Sequence, residues 1–357
     1  GQGGDRGSDQ SPACTMNPIV VDGSEGEGGG QVLRTSLALS LATGKPLQLV
    51  RIRANRKRRG LRPQHLASVR IAARIGAAEV EGVEEGSKQL TFVPQGVFSG
   101  TYDVDVGTAG SATLVLQTVL PPLLTADGPT SLRVTGGTHN PWAPPYDFLE
   151  QVYLPVIRRL GPEVEAELIR PGFAPAGGGR IAVSVRPVAR LAPLDLRERG
   201  EIHARRADAL LANLPVHIGE RELAVVQKRL GWPEDELHVR ELKGVAGAGN
   251  ALLLEIAFEH GVELFFEPGK QGLPAERVAQ RAVTAAFQWL DADVPVGEHL
   301  ADQLLLPLAL GSGGVFRTLP LSTHAQTQIE LIRRFVDVDI HVRESLGSSV
   351  EVEVTPA

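Results

Sequence analysis

Three stretches of the chain repeat one design, and this repetition constrains the fold more than any single motif does. A glycine-bearing loop runs into a Leu/Ala-rich helical stretch in GEGGGQVLRTSLALSLATG (26–44), GTAGSATLVLQTVLPPLL (107–124) and VGEHLADQLLLPLALGSGG (296–314). In the first and third a glycine follows as a C-terminal stop. Each stretch leads to a short strand candidate: LQLVRIRA (47–54), SLRVTGG (131–137) and VFRTLPL (315–321). A second amphipathic helix then follows, in QHLASVRIAARIG (64–76), PYDFLEQVYLPVIRRLG (145–161) and THAQTQIELIRRFV (323–336), with apolar residues at i, i+3, i+4 and i+7. Alternating segments such as LTFVPQ and VEVEVT close the copies as strand pairs.

The unit is strand, helix, strand, helix, strand, strand, so the predicted class is α/β (α+β): three βαβαββ units near 18–98, 100–190 and 294–355. Between the second and third copies lie the helix HIGERELAVVQKRLG, the strands LHVREL, ALLLEIAF and VELFFE, and the helix PAERVAQRAVTAAFQWLDA. These read as a smaller inserted α/β domain. The expected division is a catalytic domain over 18–197 and 294–357, an insert over 198–293, and a leader or expression remnant over 1–17. The entry RPVARLAPLDLRERG and exit DADVPVGE carry the proline and charge of linkers.

Charge segregates along the chain. The net value of −6 argues against a protein that coats nucleic acid through a global basic field. Residues 28–78, however, hold 11 Lys and Arg and no Asp or Glu, seven of the cations falling between Arg51 and Arg62. A local anion site on an acidic body is the simplest reading. The repeated glycine loops point the same way, because helix N-termini carry unpaired N–H groups that could converge on one anion. There is no GxxxxGK[ST] motif, so an ordinary P-loop is excluded. The aromatic content of 4% disfavours an RNA reader built on several stacking platforms. Cys14 is the only cysteine and no apolar run is long enough to span a bilayer, so a soluble, cytoplasmic protein with no membrane partner is expected.

The strings DGSEGEGGGQVLRTSLALS, IRANR with PQHL downstream, GSATLVLQTVLP, GGTHNPWAPPYDF, PGFAPAGGG and THAQTQI, in this order, resemble the RNA 3'-terminal phosphate cyclases from about Ile19 to Glu353. The resemblance implies an enzyme that uses ATP to convert an RNA 3'-phosphate to a 2',3'-cyclic phosphate through a histidyl-AMP intermediate. It also implies a repeated βαβαββ fold with a smaller insert. His324 in LSTHAQT matches the nucleophile; by residue type alone, capping or filling a helix start is the commoner role of a lone histidine. Neutral imidazole is nucleophilic near pH 7, and adenylylation gives a phosphate monoester the leaving group it lacks.

Glu27 sits inside a glycine loop, where a carboxylate repels phosphate unless a cation lies between them. It is the candidate ligand for a divalent metal, Mg or Mn, with a solvated loop acid as the alternative. Arg34, Arg53 and Arg56 would neutralise the triphosphate and the RNA end. Lys57, Arg58 and Arg59 read either as a looser patch for the RNA backbone or as a solvated loop. By resemblance, Gln64, Gln117, Asp302 and Gln303 belong to the nucleotide and phosphate site, and Pro144 forms one wall of the base pocket. His299 stands where an aromatic ring is expected opposite Pro144, and Pro171 replaces the expected His or Arg before GFAPAGGG. The alternatives are a noncatalytic cyclase-like RNA-binding factor of ribosome assembly, which would lack the histidine, and an enolpyruvyl transferase, which would share the repeated unit without covalent nucleotide.

Overall fold

The computed structural model describes residues 16–357. The predicted leader lies outside the described residues except for Met16 and Asn17, which are exposed and carry no regular structure.

Three four-stranded sheets share one topology. In the first, β1 (Ile19–Asp22) pairs parallel with β2 (Leu47–Val50), and β4 (Leu90–Val93) and β3 (Glu79–Glu81) extend it antiparallel in the order β1-β2-β4-β3. The second repeats this with β5 (Gly100–Asp105), β6 (Thr130–Gly136), β8 (Gly179–Arg186) and β7 (Glu163–Arg170). In the third, β14 (Gly314–Thr318), β16 (Val350–Pro356) and β15 (Val338–Glu344) take the corresponding places.

The first strand of that third unit is β9 (Leu194–Leu196), which pairs parallel with β14, Gly314 opposite Leu194. This corrects the reading of RPVARLAPLDLRERG as linker and of residues up to 197 as the first two units alone. The insert interrupts the third repeat between its first strand and its first helix. Three residues of LDL are too short to carry a strand signal beside two prolines.

Each unit places two helical segments between its strands. They are α1 (Gly30–Thr43) and α2 (Pro63–Gly76), then α3 (Ala112–Leu123) and a broken helix, then α8 (Glu298–Leu310) and α9 (Thr323–Phe335). The broken helix is α4 (Tyr146–Phe148), a π turn (Leu149–Tyr153) and α5 (Leu154–Arg159). The sequence predicts one continuous helix here. Pro155 has no N–H to give the preceding turn and its ring crowds that turn, so the helix widens just before it. Helices α1, α2, α3, α8 and α9 pack on one another and build one continuous apolar core with the inner faces of the sheets.

The insert folds around its own core, centred on Trp289, Trp232 and Phe258. Its sheet runs β11-β10-β12-β13 (Leu237–Leu242, Ile202–Ala212, Gly249–Phe258, Gly261–Pro268), with α6 (His217–Leu230) and α7 (Ala275–Ala292) packed together against it. The strand β10 escapes the sequence pattern. Its first half is charged and exposed, and its second half, ADALLA, is fully buried because the strand is central, so neither half alternates.

Candidate active site

The glycine loop after β1 is docked on α9. Glu27 donates its backbone N–H to Thr327 Oγ1 (2.9 Å), whose hydroxyl donates in turn to Thr323 O (2.8 Å). One turn earlier on α9, His324 Nδ1 meets Gln31 Oε1 at 2.5 Å. Further along, Gln328 Nε2 reaches Thr35 Oγ1 (3.5 Å). These contacts zip α1 to α9 and set His324 against the first unit. The amide oxygen can only accept, so Nδ1 donates to it and Nε2 keeps the lone pair. Ser322 caps α9, its hydroxyl accepting from Ala325 N–H (3.0 Å) and donating to Asp302 Oδ1 (2.9 Å).

A cavity of about 1380 Å³ opens beside His324. Its lining includes Glu27, Arg34, Arg53, Arg56, Gln64, Gln117, Pro144, His299, Asp302, Gln303 and His324. The first turns of α1, α3, α8 and α9 all contribute to its wall.

One side of the cavity is cationic. Arg34 lies in the second turn of α1, and burial lowers its guanidinium to about 10, partly offset by Glu27, so it stays charged at neutral pH. Half-buried and with no ion pair among the described residues, it is a cation open to an anionic partner. Arg53 lies beyond the end of β2, in a turn with φ 53, and not on a strand as LQLVRIRA predicts. Its guanidinium donates to Arg58 O (2.7 Å) and Gly60 O (3.3 Å), and burial, then Arg56 and Arg62, lowers its pKa against the pull of Glu27. Arg56 pairs with the Glu27 carboxylate, whose other oxygen accepts from Gly29 N–H (2.8 Å).

His65, one residue after Gln64 on α2, went unnoticed in the sequence. Its Nδ1 accepts the Arg62 N–H (3.0 Å), so the proton sits on Nε2. Burial, then Arg34, Arg53 and Arg62, lowers its pKa to about 3 and holds the ring neutral. Gly30 is what lets these groups gather: a Cβ there would stand 2.7 Å from both Arg34 Nη1 and His65 Nε2. Gln64 Oε1 accepts from Ser111 N–H (3.3 Å), so part of its hydrogen-bonding goes to holding α3 beside α2.

The facing side is built from α8, the Pro144 loop and the insert. His299, Asp302 and Gln303 share one face of α8 at i, i+3 and i+4 spacing. The His299 ring meets the Phe148 ring edge-on, centroids 6.4 Å apart. Enclosure by protein lowers the His299 pKa, with Glu298 opposing and His324 adding to the shift. Burial raises the Asp302 carboxyl to about 7, against the Ser322 hydrogen bond and with help from Glu298. Pro144 reaches the wall from a loop anchored by Thr113 Oγ1, which donates to Pro144 O (2.6 Å). The insert also contributes, through Phe265, Phe266, Lys270 and Arg281. No motif marked that contribution, because these residues come together only when the insert sheet docks.

Gln31 and Trp142 were likewise missed. Gln31 could have been found from its place three residues before Arg34 on the same helix face. Pro171 lies outside the cavity, just past β7. Lys57, Arg58 and Arg59 are exposed beyond its rim and have no carboxylate partner among the described residues. Among the described residues, no helix is long and apolar enough to cross a membrane.

Comparison with known proteins places this chain in a family. The family model described as RNA 3'-terminal phosphate cyclase matches residues 25–342. An RNA 3'-terminal phosphate cyclase of Ectopseudomonas mendocina (strain ymp) is 49% identical over 339 residues, covering 95% of this chain and 99% of the relative. That of Koribacter versatilis (strain Ellin345) is 50% identical over 329 residues, 92% and 93% of the two chains. That of Salmonella paratyphi C (strain RKS4594) is 46% identical over 329 residues, 92% and 95%. The chain belongs to the RNA 3'-terminal phosphate cyclases, a family of enzymes.

Proposed function

We propose that this chain uses ATP to convert an RNA 3'-terminal phosphate to a 2',3'-cyclic phosphate, with His324 as nucleophile. The observation that carries the reading is His324 held by Gln31 through Nδ1 in the same cavity as Arg34, Arg53 and Arg56. Nε2 attacks the α-phosphorus of ATP, a P–N bond forms and pyrophosphate leaves. An oxygen of the RNA 3'-phosphate then displaces the imidazole, giving RNA-(3')pp(5')A. The 2'-hydroxyl attacks the 3'-phosphorus, loses its proton and expels AMP.

The arginines and the His65 Nε2–H stabilise charge on the phosphate oxygens through these displacements. Pro144 and His299 flank the adenine, and Gln64, Gln117, Asp302 and Gln303 orient the ligands around it. A divalent cation would supply charge neutralisation on the phosphates. Among the described residues no three His, Cys, Asp or Glu side chains gather to ligate one. The fit is therefore to Glu27 with the remaining oxygens coming from phosphate and water, as suits Mg or Mn. Residues 18–197 and 294–357 serve as the catalytic domain and 198–293 as the insert, a reading supported by the second core gathered on Trp289, Trp232 and Phe258. The lone Cys14 supports a cytoplasmic setting.

The test is incubation of an RNA 3'-phosphate with ATP and Mg. The reading expects an end that resists phosphatase and yields to cyclic-phosphate hydrolysis. An end that remains phosphatase-sensitive contradicts it.

A further inference from the structure

Of the three tryptophans, Trp232 and Trp289 are buried (3% and 0% exposed), whereas Trp142 is 98% exposed and lies on the lining of the active-site cavity. Its backbone has φ 65, a left-handed conformation that bulky L-residues rarely hold. The loop around it is pinned on both sides. Asn140 Nδ2 donates to Ala109 O (2.5 Å), and the buried His139 ring bonds Asp147 (2.7 Å). Tyr146 N–H donates to Thr138 O (2.9 Å), and Thr113 holds Pro144. The ring is presented by a fixed support with both faces free, and such strain persists only where its surroundings impose it.

We propose that Trp142 is a stacking platform for a nucleobase of the RNA strand at the point where the strand leaves the cavity. The inference rests on the function proposed above and adds the group that grips RNA beyond its terminal phosphate. A strand whose 3'-phosphate is drawn to Arg34, Arg53 and Arg56 has to cross the rim, and there an open indole offers a π-face to any base. The exposed cations Lys57, Arg58 and Arg59 follow Arg53 and Arg56 in the same loop and supply charge for the backbone of such a strand. Adenine of ATP is the poorer occupant, because the Pro144 and His299 wall proposed for it lies deeper against protein, whereas Trp142 is 98% exposed. One platform without base-edge donors gives affinity with little sequence preference.

Because Trp289 is buried but borders the same cavity, the Trp142 signal is read as the difference between wild type and Trp142→Phe. Titration with an oligoribonucleotide 3'-phosphate is expected to quench the red-edge indole emission, and ATP alone to leave it unchanged. Trp142→Ala is expected to raise KM for that oligonucleotide by about tenfold, to keep the rate of ATP-dependent self-labelling, and to be rescued by Trp142→Phe. An oligonucleotide made abasic next to its 3' end is expected to lose the difference between wild type and Trp142→Ala. Quenching by ATP alone, an unchanged KM in Trp142→Ala, or an equal loss with the abasic strand overturns the platform. If wild type cyclises no RNA at all, the underlying function fails as well, and the two failures are told apart.

Discussion

His324 Nδ1 and Gln31 Oε1 stand 2.5 Å apart although 293 positions separate them in the chain. The contact joins the first and third repeats at the N-terminal turns of α1 and α9. It fixes the imidazole tautomer, so the lone pair on Nε2 is available to an electrophile.

Gln31→Ala removes that acceptor and leaves the ring free to rotate. The expected loss is roughly 10–100-fold in the rate of self-adenylylation, since small misplacements of a reacting group cost about that much. KM for ATP should change little, because the arginines are untouched. Single-turnover labelling with radioactive ATP measures both, and an unchanged rate would remove Gln31 from the positioning role.

His65 is held neutral by burial and by three arginines, with its pKa lowered to about 3. Its NMR ring resonances should therefore stay flat from pH 8 to 4.5. A mid-point near the ordinary value of about 6.5 would show the ring to be open to protonation and would contradict its reading as a fixed Nε2–H donor.

Glu222 in the insert is fully buried, accepts from Asn250 Nδ2 (3.1 Å) and is raised to about 7 by burial. An acid whose folded pKa is raised binds its proton more tightly when folded. Its destabilising effect is thus absent at low pH, grows as pH climbs from about 4.5 to 7, and stays constant above. Glu222→Gln keeps the Asn250 bond without the charge. It should stabilise the protein by about 1–3 kcal/mol at pH 8 and by almost nothing near pH 4.5. Urea melts at the two pH values check this, and an equal effect at both would refute the assigned ionisation.

Much of the fold is legible in the repeats, because helix periodicity marks the same unit three times, with a glycine stop after the first helix in two of the copies. What escapes is informative. The strand β9 is three residues among prolines, and β10 is central, so neither shows the alternation by which half-buried strands are recognised. The π turn before Pro155 is a local answer to a missing N–H that helix periodicity does not register. In the candidate site, residues with a distinctive local pattern, such as Glu27 among glycines or His324 at a helix start, could be picked out. His65 and Trp142 could not, because what marks them is a buried tautomer and a left-handed backbone, neither of which is written in local composition; Gln31 was legible only through its helical spacing from Arg34. Arg53 was found by its charge and misplaced in its geometry, for the β-branched and apolar run before it continues the strand pattern one turn too far.

The most direct test of the account is incubation of the protein with α-labelled ATP and Mg, followed by a denaturing gel. Wild type should carry label that is acid-labile and released by hydroxylamine, as a phosphoramidate is, and His324→Ala should carry none. Equal labelling of wild type and His324→Ala, or a label stable to acid and hydroxylamine, would contradict the imidazole as the nucleophile.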